Sequence, residues 1–187
     1  GDRVPEIVFA TVDGLVVAVR ATDRRELWRR DLGRTAVQAS PAVKQLRGSS
    51  TPEVVVATMD GRILVLDGRT GATLLTLRQG APLHCPRGVD CRPDGFFGTP
   101  ALADVDGDRS PDIVASSYDH TIYAWTVSGR LIFRHFVEDT VWSSPVVRDI
   151  DRDGRAEVIV GGDIYAGNNL GVPAGGRGSS GPSQYPF

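Results

Sequence analysis

The chain is built from a repeated unit, and that repeat limits the possible fold more than any single residue does. Ser40-Pro41-Ala42-Val43-Lys44, Thr99-Pro100-Ala101-Leu102-Ala103 and Ser144-Pro145-Val146-Val147-Arg148 are variants of one segment. A second shared piece is an acid followed by an apolar run: Glu6-Ile7-Val8-Phe9, Glu53-Val54-Val55-Val56, Asp112-Ile113-Val114-Ala115 and Glu157-Val158-Ile159-Val160. A third is a turn and strand, starting at Asp13-Gly14, Asp60-Gly61 and Asp119-His120. A fourth strand follows at Glu26-Leu27-Trp28, Ala72-Thr73-Leu74-Leu75 and Arg130-Leu131-Ile132-Phe133. Pro5, Pro52, Pro111 and Ala156 are equivalent positions, spaced by 47, 59 and 45 residues. The long spacing holds an insertion, residues 81–96, so the basic period is about 46 residues, within the range of four-stranded propeller blades.

The segments are short, rich in Val and Ile, and separated by Asp-Gly and Thr-Gly turns, as antiparallel hairpins require. No stretch sustains helical periodicity. The predicted fold is therefore all-β: a β-propeller of four-stranded antiparallel blades. The expected layout is a partial blade at 1–35, blades at 36–80 and 97–138, and a partial blade at 139–165. About thirteen strands are expected, grouped as three, four, four and two. The chain starts and stops inside the repeat, which predicts an open stack, a fragment of a longer propeller. Such a stack leaves terminal blade edges through which two copies could associate. Residues 166–187 are dominated by Gly, Ser, Pro and Asn and are expected to form a flexible loop or tail.

Two units carry an acidic loop between their first and second strands. Asp104, Asp106, Asp108 and Asp112 occupy positions 1, 3, 5 and 9 of one loop. Asp149, Asp151, Asp153 and Glu157 occupy the same positions of the other. Carboxylates at every second residue converge once the chain curls. Four such donors and a backbone carbonyl near position 7 form the hard, flexible oxygen cage that suits Ca²⁺. The second unit has Gln45, Arg47 and Ser49 where the acids would stand and keeps only Glu53. Its loop should hold no metal, so the fold does not require the acids.

Ala103-Asp104-Val105-Asp106-Gly107-Asp108, with Asp112 and an apolar strand behind it, resembles the FG-GAP/VCBS repeat of integrin-type β-propellers. Phe97-Gly98 before Thr99-Pro100 resembles the opening of that repeat. The resemblance covers nearly all of residues 1–165 and implies Ca²⁺ bound by the eight acids. It also implies that Ser110 and Arg155 offer backbone carbonyls. The family favours Gly at position 6 of the loop, which Gly154 satisfies and Arg109 does not. If that position is left-handed, a residue other than Gly costs about 1–2 kcal/mol, so the second loop is expected to bind the ion more tightly. Leu66-Asp67-Gly68-Arg69-Thr70-Gly71-Ala72 is similar to the PQQ-like repeat of quinoprotein dehydrogenases and outer-membrane assembly lipoproteins. Trp28 then stands where such repeats carry a blade-locking Trp.

A formal net charge of −2 offers nothing to a bulk polyanion, and the arginines form no stripe or patch, so no nucleic-acid partner is expected. No apolar run is long enough to span a bilayer. Cys85 and Cys91, both inside the insertion, are expected to form a disulfide closing a small loop. Free thiols and a metal site are the alternatives, but a metal site would need two more ligands and only His84 is near. A disulfide and weak calcium sites both point outside the cytosol, where the ion is abundant. No Ser–His–Asp or metal-hydrolase spacing stands out. The expected function is non-catalytic: an extracytoplasmic calcium-binding propeller that binds an unidentified protein. The alternatives are a quinoprotein or assembly-lipoprotein type of propeller, or a glycan-binding one. Glycan sites would lie between blades and use Tyr118, Tyr123 or Trp142. Trp125 and Trp142 are otherwise read as strand residues that pack the blades.

Overall fold

A computed structural model of the chain describes residues 4–48, 50–81, 95–137 and 140–162. Thirteen strands are found there, and neighbours in each sheet are consecutive in sequence. The first sheet holds β1 (Glu6–Ala10), β2 (Leu15–Arg20) and β3 (Glu26–Asp31). The second holds β4 (Ala42–Lys44), β5 (Glu53–Ala57), β6 (Arg62–Asp67) and β7 (Thr73–Arg78). The third holds β8 (Ala101–Ala103), β9 (Asp112–Ser116), β10 (Thr121–Thr126) and β11 (Leu131–Phe136). The fourth holds β12 (Val146–Arg148) and β13 (Glu157–Ile159). Every pairing is antiparallel. The chain is all-β, with meandering propeller blades in an open array, grouped as the repeat predicts.

The blades hold together because their central strands are apolar on both faces. Side chains alternate across a strand. In the second blade Val54, Val56, Leu64 and Leu66 therefore point one way, against Val16, Ala18, Trp28 and Val37. Val55, Ala57, Ile63 and Val65 point the other way, against Ile113, Ala115, Tyr123 and Trp125 of the third blade. Val114, Ile122 and Ala124 pack in turn against Val147, Val158 and Val160 of the fourth. Such doubly covered strands read as continuous Val/Ile/Leu runs rather than alternating ones. Phe96, which spacing places at the end of the insertion, belongs to this core. It is fully buried and meets Tyr123 and Trp125 edge-on at 6.0 and 6.2 Å.

The connections repeat as faithfully as the strands. Thr58 Oγ1 donates to Asp60 Oδ1 at 2.6 Å and accepts the Arg62 N–H at 3.1 Å. Thr11 does the same with Asp13 and Leu15. The third blade has Ser117 and Asp119 at these positions, and His120 takes the left-handed place of Gly14 and Gly61 with φ 64°. His120 is a turn residue, as expected, but it is buried and stacks on Phe136. The first strands of the last three blades, β4, β8 and β12, lie against one another in sequence. Lys44 Nζ donates to the Leu102 carbonyl at 2.8 Å across the first of these junctions.

Trp28 locks the first blade to the second, as the PQQ-like resemblance implies. It is buried, and its Nε1 donates to the Gly68 carbonyl at 2.8 Å. Its ring lies so close to Gly71 that a Cβ there would stand 2.6 Å from Trp28 Cε3, and Gly71 also has φ +71°. Trp28→Ala should therefore cost about 3–5 kcal/mol, read as a lowered urea midpoint. Gly71→Ala should also destabilise, by collision with the same ring. A neutral Gly71→Ala variant would show that the ring is not fixed in this place.

Candidate metal centres

The two acidic loops join β8 to β9 and β12 to β13, and a shared hydrogen-bond frame curls them. Asp side chains readily accept N–H groups a few residues ahead, which bends the chain. Asp104 accepts from Gly107 N–H at 2.7 Å and Arg109 N–H at 2.8 Å. Asp149 accepts from the equivalent Arg152 and Gly154 N–H groups at 2.6 and 3.0 Å. Asp106 and Asp151 each take the N–H two residues on, from Asp108 at 3.2 Å and Asp153 at 3.1 Å. Asp108 and Asp153 take those of Ser110 and Arg155, at 2.7 and 2.8 Å. Asp112 and Glu157 reach back to the N–H at position 2, that of Val105 at 2.9 Å and Ile150 at 2.8 Å.

This frame turns three carboxylates of each loop to a common point. Oxygen atoms of Asp104, Asp106 and Asp108 lie within 4.8 Å of one another, as do those of Asp149, Asp151 and Glu157. Asp112 and Asp153 are in the same loops but outside these trios. Ser110 and Arg155 join the frame through their N–H groups. Each trio could hold a cation. Oxygen-only donors and loop flexibility suit a hard ion such as Ca²⁺ far better than a soft one.

Position 9 has a second role. In the second blade Glu53, buried, accepts the Leu46 N–H at 2.8 Å, the same bond from position 9 to position 2. Gln45 and Arg47 stand there in place of acids, so this carboxylate closes the loop whether or not other acids are present. Burial raises the Asp112 carboxyl above its ordinary value. The Val105 N–H opposes that shift and the charge of Asp106 adds to it. A carboxyl with a raised folded-state value binds its proton more tightly when folded, so its contribution to stability declines as pH rises through that value. A cation in the loop opposes this decline by favouring the ionised form.

The backbone corrects one expectation. Positions 4 and 6 are both left-handed in both loops: Gly107 at φ 82° and Arg109 at 69°, then Arg152 at 66° and Gly154 at 91°. Each loop thus places one arginine and one glycine in that region. The conformational reason for ranking the second loop above the first disappears, because Arg152 carries the same cost as Arg109.

The aromatic residues divide differently than the sequence suggests. Tyr123 is buried, parallel to Trp125 at 5.1 Å, and its hydroxyl donates to Asp119 Oδ2 at 2.7 Å. Burial and that carboxylate push its hydroxyl up, so it stays a neutral donor and offers no surface to a ligand. Trp142 is not a strand residue and is 48% exposed. It meets Phe97 at 4.7 Å and Tyr118 at 5.3 Å, and those two meet at 5.2 Å. Its Nε1 donates to Thr140 Oγ1 at 2.9 Å. Phe97 was legible only as part of a repeat opening. Its equivalence to Trp142, each two residues before the Thr-Pro or Ser-Pro pair, is the signal that could have joined them. The predicted Cys85–Cys91 pair and the 166–187 tail lie outside the described residues. Among the described residues no helix is long and apolar enough to cross a membrane.

Residues 104–160, spanning both acidic loops, match the family model described as an FG-GAP-like repeat. No curated protein matches the chain. Among solved structures, BamB from Moraxella catarrhalis is similar with a TM-score of 0.56 at 15% identity, over 83% of this chain and 38% of that one. The V. cholerae biofilm matrix protein Bap1 is similar with a TM-score of 0.60 at 23% identity, over 84% of this chain and 24% of that one. The chain therefore spans well under half the length of either, and likeness at this identity shows the fold alone. The propeller-repeat resemblance read from the sequence is borne out.

Replacing either left-handed arginine by glycine should relieve its strain. Arg109→Gly and Arg152→Gly should each stabilise the metal-free protein by about 1 kcal/mol, and Gly107→Ala and Gly154→Ala should each cost a similar amount. A Cβ at either glycine would meet nothing within 4 Å, so any loss is conformational. Urea midpoints in EDTA read all four, and neutral glycine variants would rule out the left-handed loop.

Proposed function

We propose that this chain is a non-catalytic, calcium-stabilised propeller module that presents a binding surface outside the cytoplasm. The observation carrying this reading is the identical frame of the two loops, which gathers three carboxylates at one point in each. Asp104, Asp106 and Asp108 would hold one ion, and Asp149, Asp151 and Glu157 the other. Asp112, Asp153 and the carbonyls of Ser110 and Arg155 are available in the same loops. Bound Ca²⁺ neutralises the clustered charge and ties the first two strands of each blade together. The FG-GAP-like match over both loops supports this choice of ion. Loops of this kind bind in the range of about 10⁻⁴–10⁻³ M typical of extracellular modules, which fits an extracytoplasmic location. The structural likeness to a protein described as a biofilm matrix component agrees with that location by analogy.

One observation gives the glycan-binding alternative a specific site. The Phe97, Tyr118 and Trp142 rings form a partly exposed cluster where the third and fourth blades meet, and the Trp142 indole is held in place by Thr140. A fixed aromatic face of this kind stacks on sugar rings with little ordering cost. Glycan binding on an array, abolished by Trp142→Ala, would support this partner. Binding unchanged by that substitution would remove it.

Calorimetric calcium titration of the purified chain tests the main reading. Two ions should bind, the melting temperature should rise and EDTA should reverse the rise. Asp106→Ala and Asp151→Ala should each remove one ion. Absence of binding at millimolar calcium would reduce both loops to acidic turns.

A further inference from the structure

We infer that Arg130 is an internal competitor for the cation of the first loop and lowers that site's affinity. This rests on the calcium reading above. Arg130 belongs to the turn between β10 and β11, on the same blade as the loop. The turn fixes where it starts: Thr126 Oγ1 accepts the Arg130 N–H at 3.1 Å, and the Thr126 N–H donates to the Arg130 carbonyl at 2.9 Å. From there Nη2 reaches Asp106 Oδ2 at 2.9 Å. The Asp108 N–H holds the other oxygen of Asp106, so both oxygens of this carboxylate already have donors. An incoming cation must displace the guanidinium or bind beside it, and either costs affinity.

The second loop lacks this feature. Asp151 accepts the Asp153 N–H on one oxygen, and no guanidinium pairs with it among the described residues. The loops also differ in their own charges. The first holds four acids and Arg109, the second four acids with Arg152 and Arg155. The first loop is therefore the more acidic until Arg130 is counted, and then the two are level. Without Arg130, the first loop becomes the tighter site.

The test is calcium titration of the full chain carrying Asp151→Ala, which leaves only the first loop, with and without Arg130→Gln. At low ionic strength the second substitution should tighten binding about three- to tenfold, and the gain should shrink in high salt. Arg130→Lys should keep the weaker affinity of the parent, because the effect is one of charge. In an Asp106→Ala chain, where only the second loop binds, Arg130→Gln should change nothing. A cooperative melting transition in EDTA confirms that each variant folds. Calcium bound by the first loop with affinity unchanged or reduced in Arg130→Gln would overturn the inference and leave the calcium reading intact. No calcium bound by the first loop in any variant would overturn both.

Discussion

Packing of one blade on the next is the interaction on which everything else depends. A four-stranded antiparallel sheet of this length cannot bury both its faces by itself. Val54, Val56, Leu64 and Leu66 exist as core residues only because the first blade covers them, and Val55, Ile63 and Val65 only because the third does. The repeat is thus a physical requirement, since each unit supplies the cover its neighbour lacks. Apolar surface removed from water at these junctions stabilises by about 25 cal/mol per Å². Local additions, such as the Trp28 indole bonded to Gly68, fix the register of one blade on another.

That division of labour frees the loops. The short first strands β4, β8 and β12 each return to their partner strand through a loop whose ends the sheet already fixes. The same closing bond then serves three different contents. Glu53 to Leu46, Asp112 to Val105 and Glu157 to Ile150 join the same two positions, with and without further acids between them. The left-handed residue at position 4 is likewise common to Gly48, Gly107 and Arg152. The closing bond and the left-handed position 4 are therefore independent of the acids at positions 1, 3 and 5, which the second blade lacks without loss of its sheet.

The strands, their grouping and the convergence of most of the acids were legible because they depend on local pattern repeated in register. Alternation of apolar residues and Asp-Gly turns are short-range signals, and repetition multiplies them. What escaped depends on segments that are apart in sequence and meet only in the fold. Arg130 stands 24 residues beyond Asp106, and only the folded blade brings its turn beside the loop. Trp142 follows the repeat closely enough to pass for a packing residue, yet its position precedes the strand and its ring faces outward. The left-handed backbone at position 4 was hidden for a different reason. Arginine there gives no sign of it, and a glycine at position 4 in one loop drew attention to position 6 in the other.

These features meet in the electrostatics of the loops. Carboxylates turned to one point repel one another unless something positive stands among them. The first loop meets that repulsion with the Arg130 guanidinium on Asp106. The second has Arg152 and Arg155 in the loop itself, and among the described residues neither guanidinium forms an ion pair with Asp149, Asp151 or Glu157. An arginine in the left-handed region is conformationally poor, yet it places positive charge within a few residues of the acids. The backbone strain and the Arg130–Asp106 pair both bring positive charge to clustered acids. Each loop thus gathers three carboxylates that could hold a cation, with arginine charge close by.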